Sequence, residues 1–310
     1  FVLILILLAW TLALPGATEQ GILRYLRPDF ARLREAKVWI DAYSQIFFTL
    51  SLGFGIMIAY ASYLPGESDI NLNAWITSIA DTIISFVAGL AIFGALGYMA
   101  AQTSKPFDQV VTHGIGLAFV AYPQVISLLP NWSNIFGLLF FLTLTVAGIA
   151  SSVSIVEAFN AAVLDKFNLH RKPVVTGLSI GGFLAGIIFT TGGGLAWLDI
   201  VDHFLSHYGL FLACILQCYV VGWIYGASQL REHVNRVSAV RVGRLFDMAI
   251  RYLIPIALGV LLASDLAVDV TTPYGRYSWL MVLLIGPGSL ALTFLLAIFM
   301  ARRGLWKKND

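Results

Sequence analysis

Long apolar stretches separated by short polar connections run along most of the chain. A membrane-spanning helix needs about 20 consecutive, mostly apolar residues, and seven stretches reach that length. They cover residues 38–64, 74–101, 135–164, 174–195, 204–226, 248–266 and 277–301. The pattern therefore predicts an all-α integral membrane protein that crosses the bilayer repeatedly.

The N-terminal stretch, FVLILILLAWTLAL, is apolar but too short to span the bilayer. As a helix it would extend only about 21 Å. It begins with Phe1 and has no basic segment before its apolar residues, unlike a secretory signal peptide. We therefore expect it to be the cut end of a longer helix.

Residues 114–129, GIGLAFVAYPQVISLL, form a second short apolar stretch. Proline removes a helical hydrogen bond, so Pro123 is expected to break this segment. Its length and the break predict an interfacial or re-entrant piece on the outer side of the membrane. A lid over a central cavity and a helix lying on the membrane surface both fit this pattern.

Composition agrees with a membrane protein and excludes some partners. The 310 residues are 59% hydrophobic and 12% charged, against about 25% charged residues in soluble domains. The net charge of +2 is too small to indicate nucleic-acid binding. Cys214 and Cys218 lie one turn apart in one apolar stretch, where we expect them to pack as small apolar groups.

The placement of lysine and arginine predicts the orientation, because cytoplasmic loops collect these residues. With residues 38–64 entering from outside, the predicted cytoplasmic segments hold most of the basic residues, namely Lys166, Arg171, Lys172, Arg231, Arg236, Arg241, Arg244, Arg251, Arg302, Arg303, Lys307 and Lys308. Lys105, Arg276 and the basic cluster of residues 24–37 then lie outside. We predict a multi-pass protein of the plasma (inner) membrane with a cytoplasmic C-terminus.

Small residues crowd the middle of the first full-length stretch, FFTLSLGFGIMIAYASY, at Ser51, Gly53 and Gly55. One interpretation is a helix that breaks at the membrane midplane and frees backbone groups to bind ions or anionic substrate groups. The other is close packing of two helices through small residues. Under the first interpretation, Gly53→Leu would fill a cavity and favour a continuous helix.

Several longer motifs carry a family resemblance. They are QIFFTLSLGFG at 45–55 with Ala61, Ser62 and Tyr63, ITSIADTIISFVAGLAIFGALGYMA at 76–100, VAGIASSVSIVEAF at 146–159 and GWIYGASQLREHVN at 222–235. In this order they resemble the sixth, seventh, eighth and tenth membrane helices of the neurotransmitter:sodium symporter family. The resemblance implies a LeuT-type inverted-repeat transporter bundle, N-terminally truncated, from the end of helix 5 to helix 12.

The resemblance also implies a layout for the chain. It assigns 1–14 to the end of helix 5, 15–37 to an extracellular loop, 38–64 to the broken helix 6, 74–101 to helix 7, 105–130 to an extracellular lid loop, 131–166 to helix 8, 173–196 to helix 9, 203–230 to helix 10, 245–267 to helix 11 and 277–303 to helix 12.

Function and site residues follow from the same resemblance. It implies sodium-coupled symport of an amino acid or a related small amine-containing solute by alternating access, without enzymatic activity. The implied substrate-binding residues are Phe48, Thr49, Ser51, Phe54, Ser151 and Ile155. The implied sodium ligands are Thr49, Asp81, Ser151 and the carbonyl of Ala147. Asp165 and Asp202 take the positions of acidic gate residues.

Some positions depart from the family pattern. Ala150 stands where the family usually has Thr or Asp, so its methyl group offers the second sodium ion no oxygen. The chloride-site positions hold Gln45, Thr49, Asp81 and Ser85, with Asp81 in place of a common Asn. The resemblance therefore implies that chloride is not required, with Asp81 as fixed anion and as proton carrier on the return step.

Other polar residues and other functions fit parts of the same pattern. Glu157 fits either an ion-site role or pairing within the helix bundle. His203 and His207 share a helix face at metal-ligand spacing, but near a helix start we expect them to be solvated. A channel or structural subunit would explain the spans but not the ordered motifs, and an intramembrane hydrolase would need a nucleophile beside a histidine. Lipid, sodium, a small amino acid and a second copy of the chain are the expected partners.

Overall fold

The structure, a computed structural model, describes residues 1–111, 114–167 and 169–302, and the described residues are almost entirely helical. The helices are α1 Val2–Leu12, α2 Ala36–Thr49, α3 Ile56–Ser62, α4 Ile70–Thr103, α5 Gly114–Leu128, α6 Ser133–Phe167, α7 Arg171–Thr190, α8 Gly194–Val237, α9 Arg244–Thr271 and α10 Trp279–Arg302. Arg303, Lys307 and Lys308, expected on the cytoplasmic side, lie outside the described residues. So do two positions of the expected lid loop, 112 and 113.

Membrane-length helices dominate the described part of the chain. Six helices there are long and apolar enough to cross a bilayer, namely α4 and α6–α10. Helices α2 and α3 are shorter because the helix stops after Thr49 and resumes at Ile56. The prediction of an all-α, multi-pass membrane protein is confirmed.

The chain divides into two compact units. The first comprises Phe1–Arg34 and Trp75–Ser152, and its core contains fully buried Leu96, Tyr98 and Val125. Small residues let the backbones in this unit approach closely, as in many membrane bundles. A Cβ atom placed on Gly97 of α4 would lie 2.4 Å from the backbone nitrogen of Gly21.

Helix α5 belongs to the first unit and corrects one prediction. It runs from Gly114 to Leu128 without a break at Pro123. A π-helical turn, Leu117–Ala121, directly precedes the proline, which then stands near the start of the following α-helical segment. At such a position the missing N–H removes little helical hydrogen bonding. The side chains of Ala121, Tyr122 and Val125 are buried in the core.

The second unit comprises Glu35–Ala74 and the chain from Val153 onward. One core cluster joins α2, α8 and α9 around Phe47, Phe211 and Leu258, and another joins α8 and α10 around Ile200 and Val282. Helix α8 bends sharply at Gly226, where φ is 97°, before its amphipathic end Ala227–Val237. These contacts hold α2 against the membrane-length helices of the unit.

The start of α4 is fixed by a polar contact within the second unit. Asp69 caps the helix by accepting a hydrogen bond from the backbone N–H of Leu72 (2.9 Å) and another from Ala239 (2.8 Å). Asn71 donates to the carbonyl oxygen of Val240 at 2.8 Å. Because the carboxylate accepts these bonds, above all the one from Ala239, the pKa of Asp69 is lowered.

Candidate functional site

The segment between α2 and α3 is a local interruption whose backbone folds back on the end of α2. The amide of Leu50 donates to the carbonyl of Ile46 at 3.1 Å, and that of Leu52 donates to Phe47 at 2.9 Å. Helix α3 then begins with its own bond from the amide of Ala59 to Gly55 at 3.0 Å. The C-terminal end of α2 therefore carries the partial negative charge of a helix terminus next to the interruption.

Left-handed backbone conformations create this interruption. The φ angles are 55° at Ser51, 83° at Gly53 and 76° at Gly55. Glycine adopts such angles without steric cost, whereas a residue with a Cβ atom loses roughly 1–2 kcal/mol. Ser51 therefore carries backbone strain, which in proteins concentrates at functional sites.

The two glycines of the interruption face different surroundings. A Cβ atom on Gly53 would lie 3.1 Å from the carbonyl oxygen of Leu210 and 3.1 Å from the Sγ of Cys214, both on α8. A Cβ atom on Gly55 would have no described atom within 4 Å. The expectation that Gly53→Leu fills a cavity is therefore wrong, because position 53 packs against a neighbouring helix.

The predicted substrate-binding residues fall in both units, and each set is described within its own. Around the interruption, Phe48 is exposed and its ring lies 6.1 Å from that of Phe54 in an edge-to-face arrangement. Thr49 and Ser51 are half-buried beside them. Aromatic walls and hydroxyl groups at one exposed segment suit a small molecule with an apolar side chain and a polar end.

On α6, the predicted residues recur at intervals of four. Ala147, Ser151 and Ile155 therefore share one face of this continuous helix. All three are exposed within the described structure. Their roles in binding stay predictions.

The predicted chloride-site residues also form one-turn pairs. Asp81 and Ser85 are four residues apart on α4, as are Gln45 and Thr49 on α2, so each pair shares a helix face. Asp81 is half-buried and Ser85 exposed. Each pair therefore places two polar side chains on one helix face.

The two predicted gate residues lie at exposed positions of the second unit. Asp165 is in the last turn of α6, and Asp202 is near the start of α8. The hydroxyl of Ser206 donates to Asp202 at 3.2 Å. Neither carboxylate is buried, so both are accessible to a charged partner.

Glu157 pairs within the bundle, which answers a question that the sequence left open. Its carboxylate accepts hydrogen bonds from the hydroxyl of Tyr63 at 2.6 Å and from the guanidinium of Arg171 at 2.8 Å. Only 14% of its side chain is exposed. A second tyrosine of α3, Tyr60, shares a hydrogen bond with Ser154 at 2.5 Å. Two polar contacts therefore tie α3 to α6.

Sequence reasoning missed the contacts between α3 and α6 because their partners are distant in the chain. Tyr63 and Tyr60 are each 94 residues from their partners. The available signal was the spacing of Tyr60 and Tyr63 by three residues, which places both on one face of α3.

His203 and His207 contradict the expectation that they are solvated. Their side chains are 10% and 26% exposed, and each contacts a carboxylate of α9. Three histidine, cysteine or acidic residues do not come together in a metal-binding arrangement anywhere in the described part of the chain. Burial against α9 explains the error, because periodicity shows which residues share a face and not what covers it.

The prediction for the cysteines is confirmed. Cys214 is buried, Cys218 is half-buried, and both thiols are free. They line an apolar cavity of about 450 Å³ together with Tyr43, Phe47 and Leu258. Its lining includes none of the predicted substrate-binding residues, so this cavity lies on a different side of the interruption.

Comparison with known proteins identifies relatives. The sequence matches the model of the sodium:neurotransmitter symporter family over residues 1–303. An uncharacterized sodium-dependent transporter of Methanocaldococcus jannaschii is 48% identical over 275 residues, which are 89% of this chain and 56% of that protein. The sodium-dependent dopamine transporter of Bos taurus is 31% identical over 280 residues, 89% of this chain and 40% of the transporter. The chain thus spans about half the length of the curated relatives that it matches.

Proposed function

Because the chain belongs to the sodium:neurotransmitter symporter family, we propose that the protein containing it couples sodium entry to uptake of a small solute. The solute is an amino acid or a related amine-containing molecule, and uptake proceeds by alternating access without covalent chemistry. Similar proteins are named as sodium-dependent transporters. The activity of the whole protein is a proposal, since the chain spans only part of their length.

The interruption between α2 and α3 is the observation that supports this proposal most strongly. In a bilayer, backbone that is not helical is tolerated only where it is buried in protein or lines a cavity. The end of α2 offers the negative pole of a helix dipole to a cation. Ser51 holds a strained backbone angle at this point, as expected for a residue fixed by function.

The residues around the interruption have separate roles in this mechanism. Phe48 and Phe54 pack against the apolar side chain of the solute, while the hydroxyl of Ser51 contacts its polar end. Thr49 and, separately, Asp81 each offer an oxygen ligand to sodium. On α6, Ile155 contacts the solute, and the hydroxyl of Ser151 and the carbonyl of Ala147 offer oxygen atoms to sodium.

Transport by this protein does not require chloride in our proposal. Asp81 supplies the negative charge internally, one helical turn from Ser85. A chloride ion and a carboxylate about 4 Å apart would repel each other by about 4 kcal/mol at an effective dielectric constant of 20. The same carboxylate carries a proton on the return step.

Opening and closing of the transport pathway involve two exposed carboxylates, Asp165 on the cytoplasmic side and Asp202 on the outer side. Each would pair with a cation when its side closes. This assignment places the C-terminus in the cytoplasm of a plasma-membrane protein. Assembly into a homodimer stays a prediction.

Equilibrium binding of labelled amino acids to the purified protein tests this proposal. We expect binding in sodium and none when potassium replaces sodium. Thr49→Val removes one oxygen ligand and should raise the half-saturating sodium concentration roughly tenfold or more. Thr143→Val is the matched control, because the hydroxyl of Thr143 donates to the carbonyl of Leu139 on its own helix. An equal effect of both substitutions would exclude Thr49 as a ligand.

A further inference from the structure

Two histidine–carboxylate pairs connect α8 to α9 close to Asp202. The Nε2 of His203 lies 2.7 Å from the Oδ2 of Asp269, and the Nδ1 of His207 lies 3.0 Å from the Oδ2 of Asp265. The two histidines are one turn apart on α8, and the two aspartates are one turn apart on α9. All four side chains are at most 26% exposed. The pairs therefore form one half-buried contact between two helices.

Tyrosines extend this contact to the connection between α9 and α10. The hydroxyl of Tyr208 donates to the same Oδ2 of Asp269 at 2.7 Å. The ring of His203 stacks on that of Tyr274 at 3.8 Å. The hydroxyls of Tyr274 and Tyr277 in turn donate to the two carboxylate oxygens of Asp199 on α8, at 3.1 and 3.0 Å. Three elements thus meet at this polar cluster.

The imidazole ring of each pair can accept one more proton. In the neutral imidazole one ring nitrogen donates to the carboxylate, and the other is an acceptor. A proton from water that binds this second nitrogen gives an imidazolium, so a neutral hydrogen bond becomes an ion pair.

Carboxylates surround the two rings, which also lie close to each other. His207 faces the carboxylates of Asp265 and Asp269 on α9 and of Asp41 on α2. His203 contacts Asp269, and its ring centre lies 4.7 Å from that of His207. Two imidazolium rings at that distance repel each other. A proton on one ring therefore opposes a proton on the other.

The local backbone links proton binding to the predicted gate. His207 lies in a π-helical turn, Phe204–Gly209, that begins two residues after Asp202. Such turns are rare and frequently occur at functional sites. We propose that His203 and His207, with Asp265 and Asp269, form a proton-binding site that fixes this turn on α9 and so positions Asp202. The four residues are positioning residues and do not contact the solute.

Protein selectively labelled with ¹⁵N-histidine tests proton binding directly, because the chain has only five histidines. We expect the ring nitrogens of His207, assigned by comparison with His207→Gln, to change from neutral imidazole to imidazolium between pH 8 and pH 5. A ring that stays neutral down to pH 5 would overturn the proposal.

Amide hydrogen exchange tests the link to the helix contact. After correction for the intrinsic effect of pH, exchange in residues 200–210 should be slower at pH 5.5 than at pH 8, by roughly threefold or more for an ion pair. His203→Gln with His207→Gln should remove this difference, as should Asp265→Asn. His233→Gln is the matched control, since His233 is exposed on the last segment of α8. A pH response that survives in the double variant would refute the positioning role.

Transport adds a readout that rests on the proposed function. Sodium-driven uptake should fall more at an external pH of 5.5 in the parent and in His233→Gln than in the double histidine variant, where only the proton carried by Asp81 remains to respond to pH. Absence of sodium-dependent uptake in every variant would count against the transport proposal alone. The nuclear magnetic resonance and exchange results would still decide the proton-binding site.

Discussion

Alanine substitutions at Gly53 and Gly55 separate two causes of destabilisation within a single short segment. Both glycines have positive φ angles, 83° and 76°, so alanine at either position costs roughly 1–2 kcal/mol in backbone strain. The steric surroundings differ. Only at position 53 would the added Cβ meet α8, at 3.1 Å from both the Leu210 carbonyl oxygen and the Cys214 sulfur.

The contact added at position 53 determines the expected difference in stability between the two alanine variants. Overpacking a well-packed site costs about 1–3 kcal/mol, so Gly53→Ala should destabilise the protein by that amount more than Gly55→Ala. Gly55→Asn should be close to the parent, because asparagine tolerates left-handed angles better than alanine. The expected order of stability is Gly55→Asn, then Gly55→Ala, then Gly53→Ala.

Thermal unfolding in detergent micelles, followed by tryptophan fluorescence, measures this order. Reaction of Cys214 with a maleimide gives a local readout, since this thiol is buried beside position 53. We expect labelling to accelerate in Gly53→Ala and to stay unchanged in Gly55→Ala. Equal unfolding midpoints and equal labelling rates for the two alanine variants would refute the packing of the interruption against α8.

Three further substitutions test contacts elsewhere in the molecule. Asp69 has a lowered pKa in the folded protein. Its ionised carboxylate therefore stabilises the fold above the ordinary pKa near 3.9, and this contribution is lost as pH falls through the folded pKa. Asp69→Asn should thus lower the unfolding midpoint at pH 7 and have little effect at about pH 2. Gly97→Ala should destabilise by about 1–3 kcal/mol against the Gly21 backbone, whereas thermal unfolding of Gly259→Ala, with no described atom within 4 Å of the new Cβ, should show no loss. Tyr63→Phe leaves Glu157 one hydrogen bond short and should lower the unfolding midpoint in the same assay; an unchanged midpoint would show that this bond does not stabilise the protein.

The sequence was sufficient to predict the class of fold and the family. Apolar length alone predicted a multi-pass helical protein, because lipid forces the backbone of a spanning segment to satisfy its own hydrogen bonds. Ordered motifs predicted the family, which the match over residues 1–303 confirms. The crowding of Ser51, Gly53 and Gly55 drew attention to a segment where the structure has positive φ angles.

Contacts between distant helices could not be predicted in the same way. Spacing shows that His203 and His207 share a face, but their aspartate partners are 66 and 58 residues away in the chain. The direction of the missing side chain at Gly53 depends on how α2 packs against α8, which a local pattern does not contain. Pro123 was misread because the π-helical turn before it lets the helix continue. The roles of the substrate and ion residues stay predictions.

Uptake into proteoliposomes under a sodium gradient tests the central claim most directly. Vesicles holding the protein are loaded with potassium and diluted into sodium or potassium buffer that contains a labelled amino acid, with chloride or gluconate as the anion. The account predicts accumulation above the external concentration only with inward sodium, and equally in both anions. Accumulation without a sodium gradient, or uptake that stops at the external concentration, would contradict sodium-coupled symport.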